Sequence, residues 1–159
     1  MQKRNNIAIL VVWLIVIFMF SNQGGETSTI TSNNVSKNIL SVYEKISSKT
    51  YSKEEKEKII EFSITVVRKT AHVFEYFILG LLLINVLKDY RKFDYRLLIY
   101  SIILCFIFAF FDEFHQLFIP NRTGRVVDTF IDSIGFISST IIYYFLYSKL
   151  KKKKLIHSM

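Results

Sequence analysis

The sequence predicts an all-α integral membrane protein, a four-helix bundle with an extracytoplasmic amphipathic helical segment, forming a single domain over residues 1–159. Three observations carry that prediction. Apolar residues make up 51% of the chain and aromatics 16%, and they gather in long runs where a soluble element would alternate them with polar residues. Runs at about 7–21, 64–87, 97–118 and 126–147 approach or exceed the roughly 20 residues that, at about 1.5 Å each, cross a hydrocarbon layer roughly 30 Å thick. Lysine and arginine crowd the segments that four spans place on one side.

The first run, Ile7 to Phe20, holds no charge and follows Lys3 and Arg4. That order also fits a signal peptide, but no small-x-small cleavage site follows, and the helix is expected to be retained. Asn5, Asn6 and Ser21 extend it into the interface, where Lys3 and Arg4 reach back to the headgroups. Between Ser21 and Phe62 six lysines balance six glutamates. Within that segment Val35, Ile39, Val42, Tyr43 and Ile46 recur at helical spacing, which predicts an amphipathic helix on the outer membrane face. Ser52 with Glu55 three residues later is a capping box, opening a helix that runs toward the second span near Ile64. The segment either covers the polar groups described below or serves as a spacer.

Lys88, Arg91, Lys92 and Arg96 follow the second span. The third closes into Ile119-Pro-Asn-Arg-Thr-Gly124, with the chain's single proline where the chain must reverse. The fourth ends in Lys149 and Lys151 to Lys154, a basic anchor. With Lys3 and Arg4, all these basic groups fall on one side, which the positive-inside rule makes cytoplasmic together with both termini. The net charge of +8 then reflects anchoring to anionic membrane lipids, and no nucleic-acid partner is needed to explain it. Cys105 stands alone in mid-span and is expected to be a packing residue. Gly-rich phosphate loops, Cys-x-x-Cys pairs and Gly-x-Ser-x-Gly elbows are missing from the sequence.

The spans carry ionisable side chains at depths where each costs roughly 2.5 to 3.5 kcal/mol on insertion scales. Arg68, Lys69, His72 and Glu75 open the second span, Asp112, Glu113, His115 and Gln116 close the third, and Asp128 and Asp132 begin the fourth. Counting along each helix places all three groups within about 10 Å of the outer headgroups. At about 100° per residue, Arg68, His72, Glu75 and Leu79 share one stripe, as do Asp128, Asp132, Gly135 and Ser139. Asp112, Glu113 and Gln116 span about 100° of theirs, with His115 about 60° off the Asp112 axis and outside the core set. Polar stripes in lipid turn inward, so the three are expected to meet.

Arg68, Lys69, Arg122 and Arg125 offer donors suited to a phosphate, pyrophosphate or carboxylate. The carboxylates with His72 and His115 have the chemistry for a proton relay or a divalent-cation site, though no cofactor is implied. Three readings stay open: a binding or catalytic site for an anionic envelope or lipid-linked ligand, an ion or proton path, and salt bridges that only hold helices together.

Arg68-Lys-Thr-Ala-His72-Val-Phe-Glu75-Tyr76, then Asp112-Glu113-x-x-Gln116-x-Phe-x-Pro120-x-Arg122, then Asp128 with Gly135 seven later, resemble the signature blocks of VanZ-like membrane proteins. Phe20-Ser21-Asn22-Gln23, with Ser28 and Ser32, is similar to the motif after that family's first helix. Asp132 departs from the pattern, which commonly has Asn there. The resemblance implies a multi-pass protein of the bacterial plasma membrane and a link to teicoplanin susceptibility, with no established reaction. It directs attention to Arg68, Lys69, Tyr76, Asp112, Gln116, Arg122 and Asp128 as ligand-binding groups. Glu75 or Glu113 is the candidate general acid/base, beside His72, and Arg68 with Arg122 the candidate clamp on negative charge. The expected partners are membrane lipids and an anionic envelope precursor or lipid headgroup.

Overall fold

The computed structural model describes residues 2–122 and 124–157, and side chains for 3–122 and 124–151. Met1, Thr123 in the expected turn, and the side chains of Lys152 to Lys154 lie outside the described residues. Five α-helices follow one another: α1 (Gln2–Ser21), α2 (Gly25–Ser47), α3 (Lys53–Lys88), α4 (Tyr95–Gln116) and, after a single 3-10 turn at Val126–Asp128, α5 (Thr129–His157). Four segments, Lys3–Ser21, Lys53–Lys88, Tyr95–Gln116 and Val126–Lys151, are long and apolar enough to cross a membrane.

Helix boundaries follow local chemistry. The Ser52 hydroxyl accepts from the Glu55 amide at 3.3 Å, and the Glu55 carboxylate accepts from the Ser52 amide at 2.8 Å. The capping box read from the sequence therefore opens α3, which continues without a break into the second span. Asp94 starts α4 in the same manner, accepting from the Leu97 amide at 2.8 Å. Ser48 ends α2 in the left-handed conformation, φ 53°.

At 36 residues α3 is about 54 Å long, well beyond the hydrocarbon thickness. Its first turns pack on α2, which folds back alongside as an antiparallel partner. Lys56 pairs with Glu44 at 2.9 Å, and the Tyr51 amide donates to the same carboxylate. The face of α2 against α3 is made of small and aliphatic residues, Ser32, Ser36 and Leu40, all buried. Of the apolar stripe, Ile39, Val42, Tyr43 and Ile46 are exposed on the outer side, Ile46 at 80%, while Val35 at its start borders a groove toward α3.

α3 makes its broadest interface with α5. Gly135 permits this approach, because a Cβ there would run into the Val73 carbonyl of α3. Ile17, Tyr76, Leu79, Leu83, Cys105, Ala109 and Phe136 form the buried core, with Cys105 as a free thiol in a packing position.

The two ends of the bundle differ in character. At one, Asn6 donates to Asp89 at 2.7 Å and Lys3 lies over the Tyr90 ring, so the start of α1 meets the α3–α4 turn. Lys88, Arg91 and Arg96 share this basic end. At the other, the Gly25 amide donates to the Pro120 carbonyl at 3.1 Å, which ties the α1–α2 link to the α4–α5 link. A Cβ on Gly25 would overlap the carbonyl of Asn121, itself left-handed at φ 57°.

Candidate functional site

The polar residues of three helices and one loop meet at this second end. α3 supplies Arg68, Lys69, His72 and Glu75 from successive turns of one face. The last turn of α4 supplies Asp112, Glu113 and Gln116, and α5 with its 3-10 lead supplies Asp128 and Asp132. Arg68, Lys69, His72, Glu113, Gln116, Arg122, Asp128 and Asp132 surround a cavity of about 20 Å³, room for roughly one water or ion. The stripes predicted from helical angle do meet.

Within this layer the pairings are specific. Lys69 Nζ lies 2.7 Å from Asp128 Oδ1, crossing from α3 to the 3-10 turn that precedes α5. Gln116 Nε2 donates to Asp112 Oδ2 at 2.9 Å, and the Arg125 amide donates to Glu113 Oε2 at 3.0 Å. His72 Nδ1 and Glu75 Oε2 face each other at 3.6 Å, beyond hydrogen-bond distance, and both are buried without a partner among the described residues. Tyr76 OH and Asp132 Oδ2 are likewise buried and unpartnered, with Tyr76 1% and Asp132 2% exposed.

Arg122 is the hub. Its Nη1 donates to the carbonyls of Phe20 at 2.7 Å, Ser21 at 2.6 Å and Gln23 at 3.1 Å, closing the C-terminal end of α1. Its Nη2 lies 3.3 Å from His72 Nε2. A guanidinium can only donate, so His72 accepts at Nε2 and carries its proton on Nδ1. Burial pulls the Arg122 pKa below its ordinary value, opposed by the Asp112 carboxylate, and the group keeps its charge. One edge of the expected clamp is thus committed to backbone carbonyls.

Two larger grooves adjoin the layer. One of about 230 Å³ lies between the end of α1, α2 and α3, where Arg68, His72, Glu75 and Arg122 face Phe20, Val35 and Val67. Another of about 350 Å³ opens between α1 and α4, mostly apolar, with Tyr76, Asp112 and His115 at its polar end. Tyr76 and Asp112 therefore face this second groove instead of the small cavity. His115 joins them and stacks on Phe18 at 5.2 Å between ring centroids. The 60° offset that set it apart in the helical projection is what turns it toward α1.

Trp13 escaped the sequence reading. Its indole Nε1 donates to the Glu75 carbonyl at 3.0 Å, fixing α1 against α3 one turn below the polar layer. The signal was the chain's single tryptophan in the middle of an apolar run. His72, Asp112 and Glu113 each present a ligand atom within 4.8 Å of the others, a spacing compatible with a metal ion.

A polytopic helical membrane protein with a charged cluster gathered from three spans beneath one face is the class this architecture defines. The chain belongs to the VanZ/LLP1 family, whose model matches residues 6–147, nearly the whole length. No curated protein and no solved structure matches it significantly.

Proposed function

We propose that the protein recognises an anionic component of the bacterial cell envelope, a phosphate- or carboxylate-bearing lipid headgroup or lipid-linked precursor, at the outer leaflet of the plasma membrane. Holding that component alters the cell's response to glycopeptides of the teicoplanin type. The observation that carries this reading is the groove of about 230 Å³ in which two guanidinium groups, His72 and Glu75 face apolar walls. An amphiphile with an anionic head matches both surfaces. Among the described residues Arg68 has no ion-pair or hydrogen-bond partner, which leaves its fork available for a bidentate contact. The positive-inside rule, which makes the basic end cytoplasmic, supports a groove that opens to the outer face.

Glu75 is the better candidate for general acid/base chemistry on such a ligand. Its Oε2 is unpartnered among the described residues, whereas Glu113 is held by the Arg125 amide. The transport reading finds less support, because no charged side chain lies in the spans between the polar layer and the basic end.

Binding of a polyprenyl-pyrophosphate-linked saccharide to the full chain in nanodiscs, together with teicoplanin inhibitory concentrations in cells, tests the proposal. Arg68→Ala should weaken binding roughly tenfold or more, as expected for one charge-assisted contact of about 1.5–3 kcal/mol. Glu75→Gln preserves volume and breaks no hydrogen bond, so it should abolish protection while abundance and thermal stability stay at wild-type values. Loss of folded protein in parallel with protection would instead make the cluster a scaffold. Failure of the wild type to bind any lipid-linked anion would remove the proposal.

A further inference from the structure

The polar layer contains more negative than positive side chains. Glu75, Asp112, Glu113, Asp128 and Asp132 share it with Arg68, Lys69 and Arg122. Lys69 is already paired with Asp128, and Arg122 Nη1 is spent on the α1 carbonyls. The remaining carboxylates lie in a region where an unbalanced charge is costly.

We infer that His72, Asp112 and Glu113 form a divalent-metal site, taking an ion of borderline softness such as Zn²⁺ through one imidazole nitrogen and two carboxylate oxygens. Three atoms mutually within 4.8 Å share a centre no more than about 2.8 Å from each, and zinc bonds to nitrogen or oxygen of about 2.0–2.2 Å need a closure of under about 1 Å. Two carboxylates with an imidazole suit zinc or manganese better than an all-oxygen ion such as Mg²⁺. A second observation comes from α5. Asp132, 2% exposed, lines the same water-sized cavity as His72 and Glu113, and its Oδ2 has no partner among the described residues. Across that cavity it offers an acceptor for a metal-bound water.

Metal binding and the Arg122 contact exclude each other at His72. An ion on Nε2 displaces the guanidinium, and an ion on Nδ1 moves the ring proton to Nε2, where it opposes the arginine N–H. The ion therefore frees Arg122 Nη2.

Zinc titration of the full chain, purified without a histidine tag in nanodiscs and stripped with chelator, tests the inference with ZnCl₂ as the sole ligand. One equivalent should remain after gel filtration, and the thermal midpoint should rise by several degrees. Asp112→Asn should weaken retention roughly tenfold or more, since it removes one of three protein ligands. Its zinc-free midpoint should equal or exceed that of the wild type, because the substitution relieves carboxylate repulsion. Independently of any variant, X-ray absorption on the zinc-loaded wild type should show one imidazole with oxygen ligands. No retained zinc, equal retention by Asp112→Asn, or a shell containing sulfur or lacking imidazole would each overturn the site. Binding of the lipid-linked anion by zinc-free protein would leave the functional proposal standing, so the two fail separately.

Discussion

At the scale of single residues, Arg122 shows how a side chain in a site can also hold the fold. The last carbonyls of α1 have no intrahelical donors, and the guanidinium placed there donates to those of Phe20 and Ser21, and to the Gln23 carbonyl just beyond the helix, while meeting the negative end of the helix dipole. Arg122→Lys keeps the charge but loses the fork, and Arg122→Met loses both. Hydrogen bonds to charged groups contribute about 1.5–3 kcal/mol each, so thermal unfolding in detergent should rank wild type above Lys and Lys above Met. Equal midpoints for all three would show that the α1 end is held by other contacts. Glu75, which makes no such bond, is the residue where chemistry can be altered with the scaffold intact.

At the scale of elements, two packing solutions can be tested. The α3–α5 contact depends on Gly135, where an added methyl would strike the Val73 backbone and not a movable side chain. Gly135→Ala should therefore cost about 1–3 kcal/mol, read as a lower unfolding midpoint and lower membrane abundance, despite alanine's better helix propensity. The second solution concerns the hairpin of α2 and the start of α3. Its inner face buries Ser32, Ser36 and Leu40, and its outer face exposes Ile39, Val42, Tyr43 and Ile46. A stripe of that kind is expected to meet the outer membrane surface. Spin labels at Ile39 and Ile46 should be relaxed more by lipid-soluble oxygen than by a water-soluble nickel chelate; the reverse order would place this face in water.

At the scale of the whole molecule, the basic residues and the polar cluster occupy opposite ends. The contact of Asn6 with Asp89 joins the chain's start to the α3–α4 turn at the basic end. A double-cysteine variant at these positions should crosslink under mild oxidation in membranes, which requires that α1 remain in the mature protein. Single cysteines at Ser47 and Asp94 should divide by side, with only the first labelled in intact cells by an impermeant thiol reagent. Labelling at Asp94 alone would invert the topology.

The sequence by itself determined which four segments are long and apolar enough to cross a membrane, the helical class, the capping box at Ser52 and the stripes that would converge. These depend on local composition and on the helical period, both of which are properties of neighbouring residues. Family membership was legible for the same reason, because its signature blocks lie within single helices and turns. Tertiary structure alone decided which polar atoms find partners. Arg122 lies about 100 positions from the α1 carbonyls it holds, His115 turns toward Phe18, Trp13 reaches the Glu75 carbonyl, and α2 folds back along α3 with its apolar stripe outward. Such pairings depend on how helices rotate and approach one another. That is set by close contacts at residues such as Gly25 and Gly135, and no single helix carries the information.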